Sequence, residues 1–396
     1  MKVGDNMKKS KWKTLFEIFA ISTKLGLTSF GGPIAHLGYF HEEYIRRRKW
    51  LDEKSYADLV ALCHFLPGPA SSQAGIGIGL MRGGILGGLC AFIGFTFPSA
   101  IALMIFALIL KELHIVDAGW IHGLKIVAAV VVAHAVIGMA QKLAPDLGRK
   151  AIALGALVVT LLWQHAFSQV VVMLLAAFIG FLLYKKVEED TQTSLQVPIS
   201  TRFAASCLLL FFGLLLFLPL LKVWTSSYWI GLFDSFYRSG SLVFGGGHVV
   251  LPLLEQEFVP TGMLTEKEFL AGYGAAQAVP GPLFTFASYI GAVMNGWAGG
   301  FVATCAIFLP AILLIFGTLP FWGKLRSNSK INGALMGIQA AVVGILIAAF
   351  YDPIWISSIN RPIDFAFAAI LFSMLAYWKI APWIIVLTGA IGGLFL

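Results

Sequence analysis

Two peptides about two hundred residues apart carry the residues best suited to chemistry: Pro67-Gly68-Pro69-Ala70-Ser71-Ser72-Gln73 and Pro280-Gly281-Pro282-Leu283-Phe284-Thr285-Phe286. A glycine cluster precedes each one, Phe30-Gly31-Gly32-Pro33 in the first case and Phe244-Gly245-Gly246-Gly247 in the second. Each Pro-Gly-Pro removes two backbone donors and pushes the preceding residues out of helical geometry, while its glycine supplies permissive dihedrals. A helix restarting after the second proline presents unpaired N–H groups and about half a positive charge, which is a ready anion site. Ser71, Ser72, Gln73 and Thr285 fall in that first turn, where they donate to an anion or cap the helix. Gln277 precedes Pro280 by three residues, as His64 precedes Pro67. His36 and His248 each follow a glycine cluster, out of register with one another. The expected binding set is therefore Gly31, Gly32, His36, Pro67, Gly68, Pro69, Ser71, Ser72, Gln73, Gly245, Gly246, His248, Gln277, Pro280, Gly281, Pro282 and Thr285, with no catalytic or metal-ligating residue. Pro-Gly-Pro commonly marks a simple tight turn; two copies in register, each inside apolar sequence, read as paired helix breaks at a transporter site.

The elements that must hold these breaks are membrane helices. Of 396 residues, 58% are hydrophobic and 12% charged, against about 25% charged in a soluble domain. Stretches such as 85–110, 126–140, 170–184, 203–221 and 301–320 approach or exceed the roughly 20 residues that span hydrocarbon. Residues 55–66 form only about 18 Å of helix before the first break, enough to reach the bilayer midplane. Irregular backbone at that depth is tolerated where it is buried or lines a cavity. The net charge of +8 reflects loop cations set by topology, not a nucleic-acid partner. Cys63, Cys90, Cys207 and Cys305 show no metal or redox spacing and read as small buried hydrophobes. Neither HExxH, GxSxG nor a Walker motif occurs, and no cofactor is expected. Glu17, Lys24, Asp58 and Lys125 lie in apolar context and are candidate proton carriers, while Arg82 follows the first break as an anion attractor or a snorkelling helix end.

Aligning Phe30 with Phe244 makes the chain repeat itself. Residues 50–54 fall on 263–267, Pro67-Gly68-Pro69 on Pro280-Gly281-Pro282, Pro98 on Pro310 and Ala128-Ala129-Val130-Val131 on Ala340-Ala341-Val342-Val343. Loop charges reverse between the copies: Arg46, Arg47, Arg48, Lys49 and Lys54 stand against Glu255, Glu257, Glu266 and Glu268. Because cytoplasmic loops collect Lys and Arg, equivalent loops are expected on opposite sides of the membrane. The predicted fold is an all-α polytopic membrane protein of two inverted-topology repeats, with broken helices or helical hairpins meeting near the bilayer midplane. Its expected parts are a cytoplasmic segment 1–13, a first membrane repeat 14–186, a linker 187–202, a connecting transmembrane helix 203–227 and a second membrane repeat 228–396. Spans are expected at 85–110, 118–141, 150–164 and 168–184.

At these residues the chain resembles the chromate ion transporter family in its long, two-domain form. The resemblance rests on Phe30-Gly31-Gly32-Pro33-Ile34-Ala35-His36, on Pro67 through Gln73, and on Gly94-Phe95-Thr96-Phe97-Pro98-Ser99. In the second half it rests on Phe244-Gly245-Gly246-Gly247-His248-Val249-Val250-Leu251-Pro252 and on residues 269–283. It implies a multi-pass protein of the bacterial inner membrane that exports chromate, a tetrahedral dianion with sulfate as its look-alike, on the proton-motive force. The partners so implied are an oxyanion, the bilayer and a coupling proton; a homodimer is retained as an expectation. An anion channel, or a carrier of another oxyanion such as sulfate, is the alternative.

Overall fold

The computed structural model describes residues 2–30, 32–113, 119–163, 168–184, 198–243, 250–326 and 328–396. Gly31, the second glycine cluster with Gly245, Gly246 and His248, and most of the expected linker therefore lie outside the described residues. Every regular element described is helical. In chain order these are α1 (Lys2–Thr28), α2 (Gly32–Phe40), a π-helical turn (His41–Arg47), α3 (Glu53–Phe65), α4 (Ala70–Leu113), α5 (Gly119–Leu143), α6 (Leu147–Leu162) and α7 (Ser168–Leu183). There follow α8 (Thr201–Thr225), α9 (Tyr228–Leu242), α10 (Val250–Phe258), α11 (Glu266–Ala278), a 3₁₀ turn (Leu283–Thr285) and α12 (Phe286–Thr318). After a second 3₁₀ turn (Leu319–Phe321) come α13 (Trp322–Arg326), α14 (Ser329–Ala349), a π-helical turn (Phe350–Trp355), α15 (Ile356–Ser358), α16 (Pro362–Ala376) and α17 (Pro382–Gly393).

Among the described residues five helical stretches are long and apolar enough to cross a membrane: Ala70–Glu112, His122–Leu143, Thr201–Thr225, Leu283–Leu325 and Ser329–Ser358. The protein is an all-α polytopic membrane protein. α8 shows the lipid-facing character plainly, with Leu209, Phe212, Leu216, Phe217 and Trp224 all exposed, a surface that hydrocarbon can cover.

α4 and α12 are each two helices. At Gly83–Gly84 and at Asn295–Gly296 the backbone leaves helical geometry, and the second residue of each pair has a positive φ (67° and 56°) that favours glycine. The two arms then fold back so closely that a Cβ on Gly79 would overlap the Gly87 carbonyl, and one on Gly291 that of Gly299. The glycine runs of both halves thus serve backbone packing.

The short helices before the breaks begin and end for local reasons. Asp52 caps α3 by accepting from the Ser55 amide at 2.9 Å, and Thr265 caps α11 in a reciprocal box with Glu268. Both helices stop at a residue forced into extended geometry by the proline that follows, Leu66 (ψ 150°) and Val279 (ψ 136°). α3 and the first arm of α4 lie side by side, since a Cβ on Gly77 would come within 2.7 Å of Leu59. α11 and the first arm of α12 repeat this with sizes exchanged, Gly272 lying under the Tyr289 ring. Each Pro-Gly-Pro is therefore the tip of a helical hairpin.

The two parts of the chain interlock. α14 packs on α6 and α7, while its counterpart by register, α5, packs on α16 and α17. Phe92 meets Phe308 at 5.3 Å between ring centroids, joining α4 to α12 in the centre.

Candidate functional site

The hairpin tips do not float in a cavity; each is bonded to the other half. The Gly68 amide donates to the Val243 carbonyl at 2.6 Å, and the Gly281 amide to the Ser29 carbonyl at 2.9 Å. Ser29 and Val243 directly follow α1 and α9, so each Pro-Gly-Pro seats on the end of the helix that leads into the opposite half's glycine cluster. Both glycines need their positive φ, 111° at Gly68 and 107° at Gly281. Gly68 also lies against Ala311, where a Cβ would meet its methyl at 3.3 Å; Gly281 lies against Ser99, whose Oγ a Cβ would meet at 2.7 Å. The amides of Gly68 and Gly281 are consequently spoken for, and the donors left at the tips are those of the first helical turn.

The two tips differ in that turn. In the first half α4 starts directly at Ala70, and its first i→i−4 bond runs from Gln73 to Pro69. The amides of Ala70, Ser71 and Ser72 have no intrahelical acceptor. In the second half the chain enters through the 3₁₀ turn, and the Thr285 amide bonds back to Pro282 at 3.0 Å. The Thr285 hydroxyl also donates to the Pro282 carbonyl at 2.7 Å, so this side chain closes its own turn.

The first half's side chains around the two tips are buried and polar. Ser29, His36, Ser71, Ser72, Gln73, Thr96 and Ser99 are each no more than 2% exposed. His36 Nδ1 pairs with Ser71 Oγ at 3.2 Å, and the ring stands edge-on to Phe95 at 5.4 Å. Gln73 donates through Nε2 to the Pro67 carbonyl at 2.8 Å, bracing the break from within. Several atoms have no hydrogen-bond partner: Ser29 Oγ, His36 Nε2, Ser72 Oγ, Gln73 Oε1 and Thr96 Oγ1. Buried polar atoms are nearly always paired, so unpaired ones on the first half, around both tips, mark a place suited to something polar. At the same register the second half carries Val243, Phe284, Phe286, Phe308 and Ala311, all buried and apolar except for Thr285 between them. The donor set is one-sided.

The other sequence-derived candidates scatter. Gln277 leaves Nε2 buried and unpaired at the second tip. Pro67, Pro69, Pro280 and Pro282 shape the tips, and Gly32 starts α2 with φ 78°. Arg82 lies by the outer turn of the α4 hairpin, exposed, its guanidinium 5.4 Å from the Trp50 ring, and contributes nothing to the breaks. Glu17, Lys24 and Lys125 are engaged by Arg48 at 3.1 Å, Glu43 at 3.6 Å and Glu266 at 3.8 Å. Sequence reasoning did not name Ser29, Thr96 and Ser99 as candidates, although Ser29 stands beside the first glycine cluster and Thr96 and Ser99 fall in the Gly94–Ser99 motif. A separate cleft lined by Gln141, Ala144, Lys150 and Val343 opens on the α5–α6–α14 face and touches none of the breaks.

Interlocked helix breaks with a buried polar set at their centre are the layout of a membrane carrier. The sequence profile described as chromate transporter matches residues 16–181 and again 230–394. The chain belongs to the chromate transporter family. It is 28% identical over 350 residues to the chromate transport protein of Pseudomonas aeruginosa, covering 85% of this chain and 80% of that protein. It is 28% identical over 396 residues to a probable chromate transport protein of Synechococcus elongatus, with 94% and 93% covered. An uncharacterized transporter of Methanocaldococcus jannaschii is 27% identical over 350 residues, with 87% and 85% covered. No solved structure matches the chain.

Proposed function

We propose that the protein is a secondary transporter that exports a tetrahedral oxyanion, chromate first among them, across a bacterial inner membrane on the proton-motive force. The observation that carries this reading is the set of buried, unpaired polar atoms that the first half brings to the hairpin tips, Ser29 Oγ, His36 Nε2, Ser72 Oγ and Thr96 Oγ1. Hydroxyl and ring N–H groups, with the free amides of Ala70, Ser71 and Ser72, can donate to the oxygens of a dianion at the positive end of a helix. A carrier gains from holding a dianion with dipoles, because a fixed buried cation would bind too tightly for release and would itself be costly when empty. The names of the relatives from Pseudomonas aeruginosa and Synechococcus elongatus support chromate as the substrate.

The two halves are read as inverted repeats. Supporting this are the matching φ values at Gly68 and Gly281 and at Gly84 and Gly296, the reciprocal bonds Gly68–Val243 and Gly281–Ser29, and the reversed loop charges. In such a pair both tips reach one central site from opposite sides, and the site opens alternately as the halves rock. The substrate then meets donors on one half and the apolar wall of Phe284, Phe286 and Phe308 on the other.

Proteoliposomes loaded with labelled chromate or sulfate test the reading. Chromate flux that rises with an imposed pH gradient and competes with sulfate is expected. Flux indifferent to the pH gradient, following the chromate gradient alone, identifies a channel and rejects the carrier.

A further inference from the structure

Glu255 looks like a loop charge in the sequence, yet the structure places it on α10 at 4% exposure. Both of its carboxylate oxygens are buried and have no hydrogen-bond partner. Its charged neighbours are acids: Glu266 from α11 and Asp352 from the Phe350–Trp355 turn. Glu266 Oε1 is itself buried without a hydrogen bond, and its nearest cation is Lys125 Nζ of α5 at 3.8 Å. On α9, which packs against α10, Asp234 pairs with Arg238, and Ser235 with Glu257 one turn along; Glu257 also faces Lys222 of α8 at 3.6 Å. No described Lys, Arg or His pairs with Glu255.

The first half shows what this position holds when it is paired. By register, His41 is the counterpart of Glu255 and Glu53 that of Glu266. Buried neighbours anchor the register, Phe40 against Leu254 and Tyr44 against Phe258; Tyr44 bonds Ser22, and Phe258 packs on Phe236 at the position equivalent to Ser22. His41 Nε2 and Glu53 Oε2 close to 2.6 Å. The second half therefore sets two carboxyls where the first sets a hydrogen-bonded histidine and glutamate. A buried carboxylate with acids for neighbours and no hydrogen-bond donor is costly to keep charged, so the Glu255 carboxyl is suited to holding a proton.

We propose that Glu255, set against Glu266, is the site at which the protein takes up and releases the proton whose movement is coupled to the anion's. A proton from water on one side converts the carboxylate to the acid, and the same O–H bond breaks when the proton leaves to water on the other side. α10 follows the break whose Val243 carbonyl holds the Gly68 amide, so the proton site and the first hairpin tip are tied to one segment. The assignment rests on the proton-driven reading above.

The test uses the full chain in vesicles enclosing a pH-sensitive dye, as wild type, Glu255→Gln and Glu255→His, the last restoring the pair seen in the first half. Chromate accumulation in the wild type should change about tenfold per pH unit for each coupled proton, with a dye response when chromate is added. Both variants should keep the wild-type melting temperature and chromate–chromate exchange, lose the dye response and become indifferent to the gradient. A folded variant that keeps the dye response and the tenfold dependence overturns the assignment while leaving proton coupling intact. Folded variants that neither bind nor exchange chromate overturn it as well, since Glu255 then serves the anion site. A silent dye in the wild type rejects the proton-driven reading itself, and the assignment with it.

Discussion

At Gly281 a single added methyl group meets two obstacles, a φ of 107° and Ser99 Oγ at 2.7 Å. At Gly68 the φ is similar, but the nearest atom is the end of the Gln73 side chain at 3.2 Å, which can swing aside. Holding a side chain in such backbone geometry costs about 1–3 kcal/mol. Gly281→Ala is therefore expected to lower the melting temperature and chromate flux more than Gly68→Ala, and Ser99→Ala should restore part of the loss only to the former. Equal effects, with no rescue, would contradict the packing described. Gln73 makes a second residue-scale case. Gln73→Leu leaves the Pro67 carbonyl unpaired and is expected to cost about 1–3 kcal/mol of stability in a denaturation assay. The second half carries Phe286 at this position, and there the Thr285 hydroxyl bonds a different carbonyl, that of Pro282, the counterpart of Pro69.

The hairpins of α4 and α12 depend on backbones in contact. Gly79 with Gly87, and Gly291 with Gly299, leave no room for a Cβ, whereas Gly138 on α5 has nothing within 4 Å of one. Gly87→Leu and Gly299→Leu should splay the arms and abolish folded protein in a detergent-stability assay, while Gly138→Leu leaves both stability and flux near wild type. The elements themselves were largely legible beforehand. Pro67 and Pro280 end their helices by local sterics, so the break positions follow from the letters alone, and the expected restart at Ala70 is where α4 begins. The second restart was less legible, since nothing local distinguishes the 3₁₀ entry at Leu283–Thr285 from an α-helical one.

For the whole molecule the decisive feature is exchange between halves. Each hairpin tip is bonded to the other half's break, and α5 and α14 each serve as the packing surface for the other half's last helices. Neither half bonds the glycine amide of its own hairpin tip. Cutting the chain within 187–202 and expressing the two fragments together is expected to restore chromate flux, whereas residues 1–186 alone should give none. Flux from the first fragment alone would show that the cross-half bonds are dispensable.

What the sequence determined by itself is what proline, glycine and long apolar runs dictate locally: a membrane protein, four helix breaks, two copies of one pattern and the family to which the pattern belongs. The tertiary structure decided which groups those breaks spend and which they leave free. The Gly68 amide is consumed by Val243 and the Gly281 amide by Ser29; Ser99 lies against Gly281, and Glu255 is buried among acids. None of these follows from neighbours along the chain, because burial and pairing depend on atoms brought from the opposite half. Side-chain chemistry at a helix break is set by what packs against it, and that is a property of the fold.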